Sequence, residues 1–203
     1  MKYATRLLLA AVLLAGAPFA FQALRAQEPQ EPSADEMTAM MAEMQKLAAP
    51  GEMHKLLARM EGEWKLAFEM NMPGAPPMKS TGSSTVRMVL GGRYLQEELK
   101  GSFMGMPFEG LNLIGYDNFR KEFHSTWFDT SSTWKTTAVG SYDPATKTLE
   151  FHGTMRDIAD MEGRPYRMTT TEIDADHFVS EMYDTIPPQG EVKVMTIRYE
   201  RAG

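Results

Sequence analysis

Two stretches of this chain repeat a chemically dense pattern. GYDNFRKEFHST, residues 115–126, and SYDPATKTLEFHGT, residues 141–154, each carry Tyr-Asp, a few polar residues, a Lys, and then Phe-His-x-Thr. A carboxylate, an imidazole and hydroxyls in such proximity could serve acid–base chemistry. The competing reading is a hairpin turn. Asp143-Pro144 is a strong opening for a type I turn, in which the Asp side chain accepts a hydrogen bond from the backbone N–H two residues on. By parallel, Asp117 does the same ahead of Asn118. The turn reading is preferred for Asp117, Asn118, Asp143 and Pro144, and no catalytic residue is assigned.

The remaining chemical inventory is thin. There is no Gly-x-Ser-x-Gly elbow, Gly-rich phosphate loop or His-Glu-x-x-His pair. Glu97, Glu98, Glu109 and Asp129 offer carboxylates, but their spacing singles out no acid–base pair, and a solvated strand face accounts for them. The sequence points away from an enzyme without closing the question. The absence of Cys excludes thiol catalysis and Cys-type zinc sites. Methionine is abundant, 18 in 203 residues, and thioethers can hold Cu(I). Yet Met37, Met40, Met41, Met44 and Leu47 follow the i, i+3, i+4, i+7 spacing of one helical face. No His stands beside them, so packing is preferred and no metal is assigned.

The elements that must position these residues begin with the layout of an export signal: Lys2 and Arg6, an apolar run Leu7–Ala15, then small residues. Residues 1–26 read as a signal peptide cut after Ala26, residues 27–35 as a Pro-rich linker, residues 36–61 as a Met-rich helical segment, and residues 62–203 as a β-barrel domain. The apolar run is too short for a membrane span of about 20 residues, so export to the periplasm or medium is expected, with no membrane span after cleavage. Cleavage lowers the 21 basic residues to 18 against 27 acidic ones, a net charge of −9. Such a surface disfavours nucleic acid as a partner.

After Gly62 the hydrophobic period changes from 3.6 to 2. Trp64, Leu66, Phe68, Met70 and Met72 alternate with Glu63, Lys65, Ala67, Glu69 and Asn71, the pattern of a half-buried strand. About ten strands follow, near 63–72, 82–90, 93–103, 106–116, 121–129, 131–142, 147–155, 165–173, 177–185 and 191–201. Short turns join them. The fold class expected is all-β, an antiparallel up-and-down barrel preceded by one or two short helices.

Gly62-Glu63-Trp64 and the terminal VKVMTIRYER resemble the first and last strands of calycin (lipocalin-like) barrels. In that family an Arg near the chain end packs over the Trp and closes the barrel floor, which assigns Gly62, Trp64 and Arg201 to the floor here. GEW (62–64), LGGRYLQEE (90–98), PFEGLNLIGYDN (107–118), TWFDT (126–130), GSYDPATKTL (140–149) and RYER (198–201) further resemble a bacterial family of secreted domains of unknown function. That resemblance implies a calycin-like domain and carries no activity. In nitrobindin-like calycins a His binds haem iron. Here His124 and His152 hold equivalent places in the two repeats, but neither flank has a haem signature, and His124 lies on the opposite strand face from Trp127. No cofactor is assigned.

The function expected is the binding of a small apolar or amphipathic ligand inside the barrel. Phe68, Met70, Trp127, Trp134 and Met182 are the candidate ligand-binding residues, with small Ser125 and Ala138 leaving room among them. The alternative is a structural or interaction protein with a filled barrel and a Met-rich helix that docks a protein partner; a haem-binding barrel ranks below both.

Overall fold

A computed structural model describes residues 32–72, 74–158 and 160–203. The signal-peptide expectation for residues 1–26, and residues 27–31 of the linker, lie outside the described residues. Two compact units are distinguished, one ending at Met40 and the other comprising Met41–Gly203.

Helix α1 runs Ala34–Ala48. Ser33 Oγ accepts from the Glu36 N–H (3.3 Å), while Glu36 Oε2 accepts from the Ser33 N–H (2.8 Å), a reciprocal cap that satisfies two orphan donors. The helix buries none of its residues. Met37, Met40, Met41 and Met44 are 42–63% exposed, so the periodic stripe is real helix geometry but not core. Helix α2, Glu52–Ala58, buries His54 and Leu57. Its N-terminus is capped unusually: His54 Nδ1 accepts from the Gly51 N–H at 3.0 Å.

Ten strands then close an antiparallel barrel in sequence order, each pairing with its neighbours and β1 with β10. They are β1 (Gly62–Met70), β2 (Met78–Val89), β3 (Tyr94–Phe103), β4 (Met106–Asp117) and β5 (Glu122–Asp129). The second half comprises β6 (Thr136–Asp143), β7 (Thr148–Met155), β8 (Arg164–Asp174), β9 (His177–Ile186) and β10 (Gly190–Arg201). Closure leaves no unpaired edge. Register shifts interrupt β8–β9 near Glu172 and β9–β10 near Lys193.

The turns at Asp117 and Asp143 share one construction. Asp117 Oδ1 accepts from the Phe119 N–H at 2.7 Å, and Asp143 Oδ1 from the Ala145 N–H at 2.9 Å. Lys121 and Lys147, equivalent in the two repeats, both take positive φ (61° and 53°) to return the chain. Asn118 Nδ2 donates to the carbonyls of Leu47 and Ala49, tying the β4–β5 turn to the segment before α2. β6 starts later than its hydrophobic pattern predicts. Asp129 accepts from the Ser131 backbone, and Ser132 Oγ bonds the Trp134 carbonyl, so local side-chain bonds replace the ladder there.

Inward-facing glycines are covered by rings from adjoining strands. A Cβ on Gly110 would collide with Trp127, one on Gly140 would lie 2.6 Å from Phe151 Cδ1, and one on Gly101 would lie 3.3 Å from Phe68 Cε2. Each ring thus fills the space that a side chain at the glycine would otherwise take. Among the described residues no helix is long and apolar enough to cross a membrane.

Candidate functional site

The α2 end of the barrel is sealed by a stack built on Trp64, which is 2% exposed. The Arg201 guanidinium carbon sits 4.3 Å from the Trp64 ring centroid, a cation–π contact. Arg201 also donates to the carbonyls of Glu61 and Ala175 and to Asp176 Oδ1. Gly62 explains the Gly-x-Trp spacing. Its φ is +146°, and a Cβ there would overlap Arg201 Nη1, so only glycine admits both the backbone angle and the guanidinium. Phe178 packs edge-on to Trp64 at 5.1 Å.

Above this floor lies an interior cavity of about 40 Å³. A water needs about 10–15 Å³ of such space, so the cavity accommodates about three waters or a molecule of a few heavy atoms. Trp64, Val86, Leu95, Ile114, Phe151, Met168 and Phe178 give it apolar walls, with Ala138 adding little bulk. A polar belt crosses them. Glu97, buried on β3, accepts from Ser84 Oγ (2.8 Å) and Tyr199 OH (3.1 Å) through one carboxyl oxygen. Asn112 Oδ1 accepts from Ser125 Oγ at 2.8 Å, and Thr170 and Ser180 pair their hydroxyls at 2.8 Å. The belt draws on seven strands, β2 to β5 and β8 to β10.

Burial pushes the Glu97 carboxyl above its ordinary range. Donors from Ser84, Tyr199 and Asn112 oppose that shift without cancelling it. Burial, with the Glu97 charge adding to it, also pushes the Tyr199 phenol well up. Tyr166, another wall residue, is pushed up to about 12 by burial. A carboxyl held toward its neutral form can donate as well as accept. The belt is therefore suited to hold a hydroxyl or carbonyl oxygen.

The candidate ligand residues take different places. Phe68 and Trp127 pack partly buried against the core. Trp127 stacks on Phe108 at 6.3 Å and donates Nε1–H to Asp129 at 2.7 Å. Met70 and Met182 are half-buried, and Trp134 is 53% exposed in the 130–135 loop. None of these five borders the cavity, whereas Trp64, Ser125 and Ala138 do. His124 packs beside Tyr94 at 5.9 Å, outside the set of cavity-lining residues. No cluster of three or more His, Cys, Asp or Glu with metal-binding geometry occurs among the described residues.

Sequence reasoning placed Glu97 on a solvated strand face, whereas it is buried at the centre of the belt, and the signal for that was present. In LQEEL, residues 95–99, Leu95, Glu97 and Leu99 share one strand face, and both leucines are buried. A charged residue in phase with two apolar ones is inward by period alone. Tyr199 is likewise in phase with Ile197.

The fold is shared with a solved protein entitled "Crystal Structure of Rv2717c from M. tuberculosis". It is 12% identical, covers 76% of this chain and 100% of its own, and superposes with a TM-score of 0.58. At that identity the likeness concerns fold alone. Comparison with functionally curated proteins finds no match. Residues 49–201, most of the sequence, match the profile of the family described as "Protein of unknown function (DUF1579)", and the chain belongs to that family.

Proposed function

We propose that this protein binds a small amphipathic molecule inside its barrel. The observation that carries the reading is the cavity in which a buried carboxyl, an amide and several hydroxyls interrupt an apolar wall. A barrel serving only as a scaffold gains little from desolvating a carboxyl, because an apolar residue of similar volume is usually no worse. Methionines at 60 and 168 border the space, and their unbranched side chains rotate readily to enlarge it. A longer tail would then run toward Phe68, Trp127 and Met182, on the side away from α2.

The test is a titration of the folded protein with 1-propanol, followed by amide NMR shifts. Saturable shifts at Ser125, Ala138 and Ser180, with affinity on the order of millimolar for so few atoms, support the reading. Ala138→Val, which narrows the cavity, is expected to weaken them. Shifts that scatter over the outer face, or persist unchanged in a folded Ala138→Val variant, oppose it.

A second reading is favoured by the exposed stripe Met37, Met40, Met41 and Met44. In it α1 docks a protein partner through these adaptable side chains. Replacing all four by Gln should abolish such an association while leaving propanol binding intact. Export completes the proposal, motivated by Lys2, Arg6 and the apolar run that follows. N-terminal sequencing of the secreted form should then begin near Gln27, and an intact Met1 on cytosolic protein would contradict it.

A further inference from the structure

We propose that the cavity takes a compact, uncharged molecule bearing a hydrogen-bonding oxygen, of the alcohol or carbonyl class, and rejects anions and ammonium ions of the same size. The inference rests on the ligand-site reading and adds a rule of charge to it.

The first observation is the composition of the wall. Among its described residues there is no Lys, Arg or His, and Glu97 is the only acid. A carboxylate entering this space would leave water and find no counter-charge, a costly transfer. Arg201, in phase with Tyr199, and Arg164, in phase with Tyr166 and Met168, are both already committed. Arg201 lies over Trp64 and bonds Asp176 and two carbonyls. Arg164 grips Asp184 through Nε (2.8 Å) and Nη2 (2.7 Å), and Nη2 also lies 2.8 Å from Asp157. Neither guanidinium is available to an anion without breaking a paired contact.

The second observation concerns cations. An ammonium would require Glu97 to carry full charge in the interior. One of its oxygens already receives Ser84 and Tyr199, and burial holds the carboxyl toward its protonated form. Pairing two desolvated charges there repays their lost hydration only with further donors and acceptors around them. The hydroxyls of Ser125, Thr170 and Ser180 instead act either as donor or as acceptor. That ambivalence suits a neutral oxygen, which itself has lone pairs and, in an alcohol, one hydrogen.

The experiment compares three molecules of one skeleton at neutral pH: 1-propanol, propionate and propylammonium. Each is titrated into the intact protein and followed through amide shifts of cavity residues. Propanol is expected to bind at least about tenfold more tightly than either ion, in keeping with the cost of an unpaired buried charge. Glu97→Gln, which keeps the shape and stays neutral, should still prefer propanol to propylammonium, whatever it does to the absolute affinity for propanol. Propionate binding as tightly as propanol overturns the charge rule and leaves the ligand site standing. Propylammonium binding most tightly, and losing that advantage in Glu97→Gln, overturns it in favour of a carboxylate counter-ion. If none of the three binds, the rule falls together with the ligand-site reading. Should Glu97→Gln fail to fold, the three wild-type titrations decide the matter alone.

Discussion

Glu97 and Trp64 are the residues whose surroundings make the sharpest demands. Because burial raises the Glu97 pKa above its ordinary 4.5, the folded state binds a proton that the unfolded state releases first. The associated stability is fully present below about pH 4.5 and is lost as pH rises through the folded value. Glu97→Gln removes that dependence. Its urea midpoint should therefore gain on the wild type as pH increases above 4.5, and a constant difference would show that Glu97 is already ionised in the fold. Trp64 is buried between Arg201, Phe178 and Tyr199. Trp64→Ala should cost about 3–5 kcal/mol, typical of a large buried aromatic. Chemical denaturation measures it, and a loss under about 1 kcal/mol would deny the floor its structural role.

At the scale of elements, period and turn chemistry carried most of what the sequence could say. Alternation in β1 and the Asp-led turns at Asp117 and Asp143 are local signals, set within a few residues, and they make the strand order readable. The belt was harder to read because it is assembled across strands. Ser84, Asn112 and Tyr199 meet Glu97 only through the register of the closed sheet. The aromatic-over-glycine packing is a register effect of the same kind. Gly110 has Trp127 lying where its Cβ would stand. Gly110→Ala should force the ring aside and destabilise by about 1–3 kcal/mol, with altered Trp fluorescence. An unchanged midpoint would mean that the ring yields freely.

Helix α2 adds a titratable joint. Burial first, and the nearby Arg93 charge second, push the His54 pKa below its ordinary 6.5. Neutral His54 accepts the Gly51 N–H at Nδ1 and stands edge-on to Tyr116 at 6.1 Å. Its contribution is present above pH 6.5 and is lost as pH falls from there toward the folded value. His54→Gln offers an acceptor for the same N–H without the charge. The variant should show a flatter stability curve on the acid side of pH 6.5, and an identical acid limb in both proteins would remove His54 as its cause.

For the molecule as a whole, the two shifts oppose one another, Glu97 weakening the fold as pH rises and His54 as it falls. The barrel has no cysteine to brace it, so its continuity rests on the ladder between β1 and β10. Ending the chain after Gln189 removes β10 and exposes the outer ladders of β1 and β9. That truncation should associate or precipitate, as unpaired edges do, and size-exclusion chromatography would detect it. A well-behaved monomer would mean that the remaining strands re-close around a smaller ring.

The same seam sets an order of events. Every other strand pairing joins neighbours in the chain, whereas Trp64 meets Arg201 from the far end of the barrel sequence. Hairpins of this kind form in microseconds, while contacts between distant segments wait on the slow search for chain closure. A polypeptide emerging from its N-terminus therefore reaches, at best, a curled open sheet until β10 is free to pair. The cavity, which needs Tyr199 from that final strand, comes into being only when β10 has been made and has found β1.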